Sequence, residues 1–149
     1  DQKLRAADVA IALSPATDST FSSPSISENM ASDVMLGPMF KVFSKIPRTA
    51  LLWITWFNNR INPSDPLMSP VRGDLSDLPP TLVHASSVEI LRDDARRYVN
   101  RAVADGSTAK LQLWNHVVHV WQIFDADLTE ARQSFDEIEQ FIAHHAPAK

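Results

Sequence analysis

Two stretches of the 149-residue chain carry side chains able to hold or move a proton. The first is Ser86-Ser-Val-Glu-Ile-Leu-Arg-Asp-Asp94, in which Glu89 directly follows an apolar run and opens a helical pattern. A carboxylate at the C-terminal edge of a parallel sheet can accept the Nδ1–H of a histidine, select its tautomer and stabilise the imidazolium formed during catalysis. A plainer role is also available. Ser86 and Glu89 are spaced as a capping box, and acidic residues suit a first helical turn because they oppose the macrodipole. On local sequence alone this structural role carries more weight. Asp93 and Asp94 read as a solvated first turn with Arg96 and Arg97 nearby.

The second stretch is Trp114-Asn-His-Val-Val-His-Val-Trp-Gln122, in which His116 and His119 compete for one job. A histidine in a loop past a strand end can turn Nε2 toward a nucleophile while Nδ1 faces a carboxylate from the preceding strand, the geometry of a general base. The alternative is a hydrogen-bonded histidine in a half-buried loop. His-x-x-His has the wrong spacing for a zinc helix and no third ligand stands close in sequence, so neither metal nor cofactor is expected. His84 fits packing within a strand, and His144-His145 fits a helix end whose dipole a cation complements. Trp121, Phe124, Trp53 and Trp56 are candidates to line an apolar pocket, with core packing the stronger alternative.

The elements that must position these groups alternate between strand and helix. The apolar run within 8–13, stopped by Ser14-Pro15, predicts a strand buried on both faces of a parallel sheet. The Ser-, Thr-, Pro- and Asn-rich stretch 15–30 predicts a long surface loop. Residues 31–60 read as two or three helices, the last from Thr49 to Asn59 and apolar nearly all round. Pro-rich linkers at 62–70 and 78–80 follow. Then come a strand at 81–86, a helix at 88–104 with Leu91, Ala95, Tyr98 and Ala102 on one stripe, and a half-exposed edge strand at 108–114. Gly106 supplies the helix stop. A final helix at 128–145 carries Ala131, Phe135, Ile138 and Ile142 on one stripe, with Asp127 and Glu130 spaced as a capping box. Strand, helix, strand and helix with short connections imply crossovers and an α/β class, as a single domain.

Composition narrows the partners. The content is 44% hydrophobic and 21% charged, with net charge −4 and scattered Lys and Arg, which argues against nucleic acid as a partner. The absence of cysteine excludes a disulfide framework, a thiolate zinc site and a cysteine nucleophile. The longest apolar run, Leu51 to Phe57, is broken by Thr55 and falls far short of the ~20 residues a spanning helix needs.

Taken in order, Leu13-Ser-Pro-Ala-Thr-Asp18, Asp65-Pro-Leu-Met-Ser-Pro70, Leu78-Pro-Pro-Thr-Leu-Val83, Val88-Glu-Ile-Leu-Arg-Asp-Asp94 and His119-Val-Trp-Gln122 resemble the C-terminal half of the bacterial hormone-sensitive-lipase-like esterases of the α/β-hydrolase superfamily. The resemblance covers nearly the whole chain. It implies the C-terminal part of an α/β-hydrolase fold, with about three parallel strands and flanking helices, incomplete without an N-terminal half. It also implies a carboxylic ester hydrolase with a Ser-His-Glu triad, in which Glu89 is the acid and His119 the base. Asp is the commoner acid in that family, and Glu an accepted variant.

The family's Gly-x-Ser-x-Gly elbow and His-Gly-Gly-Gly-type loop have no counterpart here, because the only glycines are Gly37, Gly73 and Gly106. The expectation is therefore that the nucleophile lies in an N-terminal half absent from this chain, which starts Asp1-Gln2-Lys3 without Met, and that the chain alone is inactive. The partners expected are a small-molecule ester, that missing half, and a homodimer through strand 108–114 and the final helix. The compartment stays open, with the cytoplasm favoured and a membrane link through preceding residues as the alternative. A non-catalytic interaction domain of esterase-like ancestry is the competing function.

Overall fold

The structure, a computed structural model, describes residues 7–146. Three strands, β1 (Ala10–Leu13), β2 (Thr81–Ser86) and β3 (Ala109–Trp114), form one parallel sheet in the order β1-β2-β3. Ala10 stands beside Thr81, and Thr81 beside Ala109, so all three carboxyl ends reach the same edge. β2 is central and buried at every position, as its Thr-Leu-Val-His-Ala-Ser sequence allows. β1 is shorter than the 8–13 read from sequence and half-buried throughout, because among the described residues β2 is its only neighbour.

Parallel pairing obliges each connection to cross over the sheet. α4 (Arg92–Ala104) makes the β2–β3 crossover and packs Ala95 and Val99 on Val83 and Ala85, with Tyr98 and Leu111 at the margin. Its buried residues are Asp93, Asp94, Ala95, Val99 and Ala102; of the expected stripe, Ala95 and Ala102 are buried, Tyr98 packs half-buried on the core and Leu91 precedes the helix. Gly106, at φ +91°, turns the chain out of α4 in a conformation that L side chains resist. Leu82, His84 and Ser86 alternate with Val83 and Ala85 and so face the other side of the sheet. There His84 stacks on Trp121 at 6.0 Å between centroids, and Trp121 joins Val117 and Ala131 in a second core cluster.

α5 (Thr129–His145) buries Ala131, Ser134 and Phe141, while Phe135 and Ile142 stay exposed. The stripe read from sequence is thus rotated by part of a turn. Leu128 precedes α5 with no side-chain cap, so Asp127 and Glu130 form no capping box. His144 and His145 do stand in its last turn.

The β1–β2 connection, residues 14–80, contains α1 (Ser25–Glu28), α2 (Gly37–Phe43) and α3 (Arg48–Asn59). Residues 15–30 are not the surface loop their polarity suggests. Thr17, Asp18, Thr20, Ser23, Ser25 and Asn29 are all buried. The reason is hydrogen bonding to the start of α4: the Asp94 carboxylate accepts the N–H groups of Thr17 and Asp18, each at 2.9 Å, and contacts the Ser23 hydroxyl. Asp93 accepts the Ser25 N–H at 3.0 Å, and the Ser25 hydroxyl donates to the Ile90 carbonyl at 2.7 Å. The solvated first turn expected at 93 and 94 is instead a buried anchor, because unpaired backbone donors in the loop need acceptors inside.

Candidate active site

The site forms where three strand ends meet. β2 ends at Ser86, and the chain turns through 87–91 before α4 begins at Arg92, later than the expected 88. Glu89 therefore sits in the turn, 1% exposed, and caps no helix; its Oε1 accepts the Ser86 N–H at 3.2 Å. The turn is fixed from outside by the β1–β2 connection. Asn29 Nδ2 donates to the carbonyls of Glu89 at 2.8 Å and Ser87 at 3.2 Å, and Asp33 Oδ2 accepts the Ile90 N–H at 2.9 Å. Sequence reading missed this role of Asn29 and Asp33. The available signal was the density of short polar side chains in a stretch without apolar period.

Past β3 the chain enters the His116–Val120 loop, bounded by two left-handed residues, His116 at φ 59° and Val120 at φ 49°. For a β-branched residue this conformation is strained by about 1–3 kcal/mol and persists only where neighbours enforce it. They do so here: the Val120 N–H donates to the Ser14 hydroxyl at 3.2 Å, and Ser86 Oγ donates to the Val117 carbonyl at 2.6 Å. The ends of β1 and β2 thereby hold the loop that follows β3.

That loop places His119 Nδ1 3.0 Å from Glu89 Oε2, with the histidine side chain 18% exposed. An ionised carboxylate only accepts, so the contact selects the tautomer with hydrogen on Nδ1 and leaves Nε2 as a basic lone pair. Nε2 meets no hydrogen-bond partner among the described residues. A cavity of ≈ 280 Å³ opens beside the pair, lined by both residues together with Ser32, Asp33, Val34 and His116. His116 shares the cavity but makes no hydrogen bond to Glu89 among the described residues. A neutral imidazole held in this way can take a proton from a weak nucleophile and return it to a leaving group.

The aromatic candidates fall elsewhere. Trp121 is fully buried against His84, Trp114 and Ala131, so it is core and not pocket lining. Trp53 and Trp56 line a separate cavity of ≈ 490 Å³ with Thr49, Leu52, Asn62 and Pro63. Phe124 is partly exposed and lines neither cavity. His84 is fully buried in β2, and that burial lowers its pKa below the usual histidine value, while Gln112 and the charge of Glu137 pull the other way. Among the described residues no group of three or more His, Asp or Glu side chains is arranged to hold a metal ion.

Behind the site lies an ion cluster. Arg97 Nη2 is 3.0 Å from Asp18 Oδ2 and 3.2 Å from Asp94 Oδ1. Burial pushes the Asp18 carboxyl up, but hydrogen bonds from the Ser22 and Thr20 hydroxyls and the Thr20 N–H, with the charge of Arg72, together hold it well below the usual carboxylate range. It is therefore ionised whenever the protein is folded near neutral pH, and keeps the loop between β1 and α1 against α4.

Residues 1–123 match a family described as having the alpha/beta hydrolase fold. An esterase of Acinetobacter venetianus is 32% identical over 131 residues, which are 88% of this chain and 41% of the relative. An acetyl-hydrolase of Streptomyces hygroscopicus is 36% identical over 81 residues, 54% of this chain and 27% of the relative. The crystal structure of a hormone-sensitive lipase from a metagenome library superimposes with a TM-score of 0.80 at 29% identity, covering 95% of this chain and 46% of that one. The chain thus spans less than half the length of each of these proteins. From the family match over most of its length, and from the likeness in fold and sequence to these enzymes, the chain belongs to the α/β-hydrolase superfamily, among its bacterial hormone-sensitive-lipase-like esterases.

Proposed function

We propose that the chain is the acid- and base-bearing part of a carboxylic ester hydrolase working through a Ser-His-Glu triad. The observation that carries this reading is the contact between the buried Glu89 carboxylate and His119 Nδ1 at the carboxyl edge of the sheet, beside an open cavity. Names of relatives, esterase and acetyl-hydrolase, support a small-molecule ester as substrate. The nucleophilic serine and the oxyanion donors come from residues outside this chain, whose three glycines are too dispersed for a Gly-x-Ser-x-Gly elbow.

In this mechanism His119 Nε2 takes the proton of the serine hydroxyl as its oxygen attacks the ester carbonyl. The carbon–oxygen bond to the alcohol then breaks, and the imidazolium returns the proton to the departing alkoxide. Water repeats the sequence on the acyl-enzyme, releasing the acid and restoring the serine. Glu89 accepts the Nδ1–H and stabilises the imidazolium.

The test uses a longer form of the protein that includes a Gly-x-Ser-x-Gly segment ahead of these residues, with p-nitrophenyl butyrate as substrate. His119→Asn should lower kcat by at least ~10⁴-fold and Glu89→Gln by about 10⁴-fold, while Glu89→Asp retains more turnover than Glu89→Gln. His116→Asn should stay close to the parent rate. Undiminished turnover in His119→Asn would remove the base from this residue, and turnover by the 149-residue chain alone would remove the need for an outside serine.

A further inference from the structure

Ser86, the last residue of β2, is fully buried between the two segments that carry the acid and the base. Its N–H donates to Glu89 Oε1 at 3.2 Å, and its hydroxyl accepts the Val88 N–H at 3.2 Å, so the acid turn closes on this one residue. The same hydroxyl donates to the Val117 carbonyl at 2.6 Å, two residues before His119. A serine hydroxyl has one hydrogen to give and two lone pairs that can accept. Here the hydrogen goes to the base loop and a lone pair to the acid turn, so a single oxygen joins the two.

A glutamate needs such a hold more than an aspartate would, because its extra rotatable bond must be ordered before its carboxylate can meet a partner. With Oε1 taken by the Ser86 N–H, Oε2 is the oxygen that reaches His119 Nδ1 at 3.0 Å. The base loop also needs holding, since it runs between the left-handed residues His116 and Val120. Ser86, Glu89 and Val117 are all buried, so their arrangement does not depend on what covers the outer faces of the chain. Ser107 offers a contrast. It is buried at the opposite, amino edge of the sheet, just ahead of β3, where its hydroxyl donates to the Leu75 carbonyl at 2.6 Å and accepts the Leu78 N–H at 3.0 Å. The pair of bonds is the same in kind, but the segments it joins carry neither Glu89 nor His119.

We infer that Ser86 is a positioning residue for the ester hydrolysis: its hydroxyl ties the acid turn to the base loop and so aligns Glu89 with His119. This rests on the Ser-His-Glu reading of the site.

The experiment uses the longer form of the protein with p-nitrophenyl butyrate and compares Ser86→Ala, Ser86→Cys, Ser107→Ala and Glu89→Gln, with circular dichroism and urea unfolding recorded for each. Ser86→Cys keeps the shape of the side chain with a thiol that donates and accepts only weakly. Both Ser86 variants should lower kcat roughly 10–100-fold with KM within about twofold, because a displaced base loses its alignment in the transition state. The far-downfield proton resonance of the His119 Nδ1–H should weaken or broaden in the same two variants. Ser107→Ala should lose stability much as Ser86→Ala does, yet keep the parental kcat and resonance. In the Glu89→Gln background Ser86→Ala should cost less than about threefold more, since no carboxylate is left to align. Ser86 variants that behave like Ser107→Ala, while Glu89→Gln has lost its turnover, overturn the inference and leave the triad standing. A loss confined to KM, or one undiminished in the Glu89→Gln background, overturns it too. Failure of both Ser86 variants to fold where Ser107→Ala folds makes the hydroxyl a folding element and likewise overturns it. Full turnover in Glu89→Gln removes the triad reading itself, and this inference with it.

Discussion

Residues 15–33 and residues 34–61 adjoin in sequence and exchange the places their compositions would assign them. The first is rich in Ser, Thr, Asn and Asp, yet Thr17, Asp18, Ser23, Ser25, Asn29 and Asp33 are buried. The second is rich in Leu, Ile, Trp and Phe, yet α3 buries none of its residues. Polarity alone therefore does not decide depth. A polar side chain goes inside where it completes hydrogen bonds that the backbone would otherwise lack, and an apolar one stays outside where nothing is packed on it.

The comparison breaks first at Asp94. Its carboxylate collects the Thr17 and Asp18 N–H groups and Arg97, so Asp94→Ala leaves buried donors and a cation without an acceptor. The expected loss is about 3–5 kcal/mol in urea unfolding. A loss below ~1 kcal/mol would mean that the polar segment is not anchored as described.

Gly37 marks the junction between the two regions. A Cβ there would meet the Met30 carbonyl oxygen at 2.2 Å, so the backbone must shift to admit it. Gly37→Ala should lower stability by about 1–3 kcal/mol, as overpacking does. A neutral result would show α2 free to move relative to α1.

Asp18 sharpens the same comparison through pH. Its folded pKa is depressed, so its contribution is fully present above the unfolded value of about 3.9 and is lost as pH falls toward the folded one. Asp18→Asn should reduce stability at neutral pH by roughly 1–2 kcal/mol and flatten the acid limb of the stability curve below about pH 4. An unchanged acid limb would place that sensitivity in other carboxylates.

The smallest effect is expected in the apolar region. Trp53→Ser should move the thermal midpoint by no more than about 0.5 kcal/mol equivalent, because the side chain touches little. A loss above ~2 kcal/mol would show that the face is packed in solution.

Much of the secondary structure was legible. β2 and the alternation around it follow from short apolar runs with proline and serine stops, and α4 from a helical period closed by Gly106. Stripe membership was less so. In α5 the buried Ser134 took a place that an apolar reading gave to Phe135, its hydroxyl satisfied inside by donating to the Ala131 carbonyl at 2.7 Å. For the candidate site, the letters around Glu89 and His119 left a capping residue and two histidines as alternatives. Only the order of several blocks singled out that pair; the capping contact does form, with the Ser86 N–H donating to Glu89 Oε1 and the Val88 N–H to Ser86 Oγ, but it closes a turn, because helix α4 starts three residues after Glu89.

What the sequence determined by itself is the set of properties that depend on near neighbours: strand or helix period, turn positions and the lack of a Gly-x-Ser-x-Gly elbow. The tertiary structure alone decided which polar groups are inside and which carboxylate meets which imidazole. Glu89 and His119 stand 30 residues apart and Thr17 and Asp94 stand 77 apart. Partners at such separations are chosen by how strands align in the sheet, and that alignment leaves no local periodic mark on the chain.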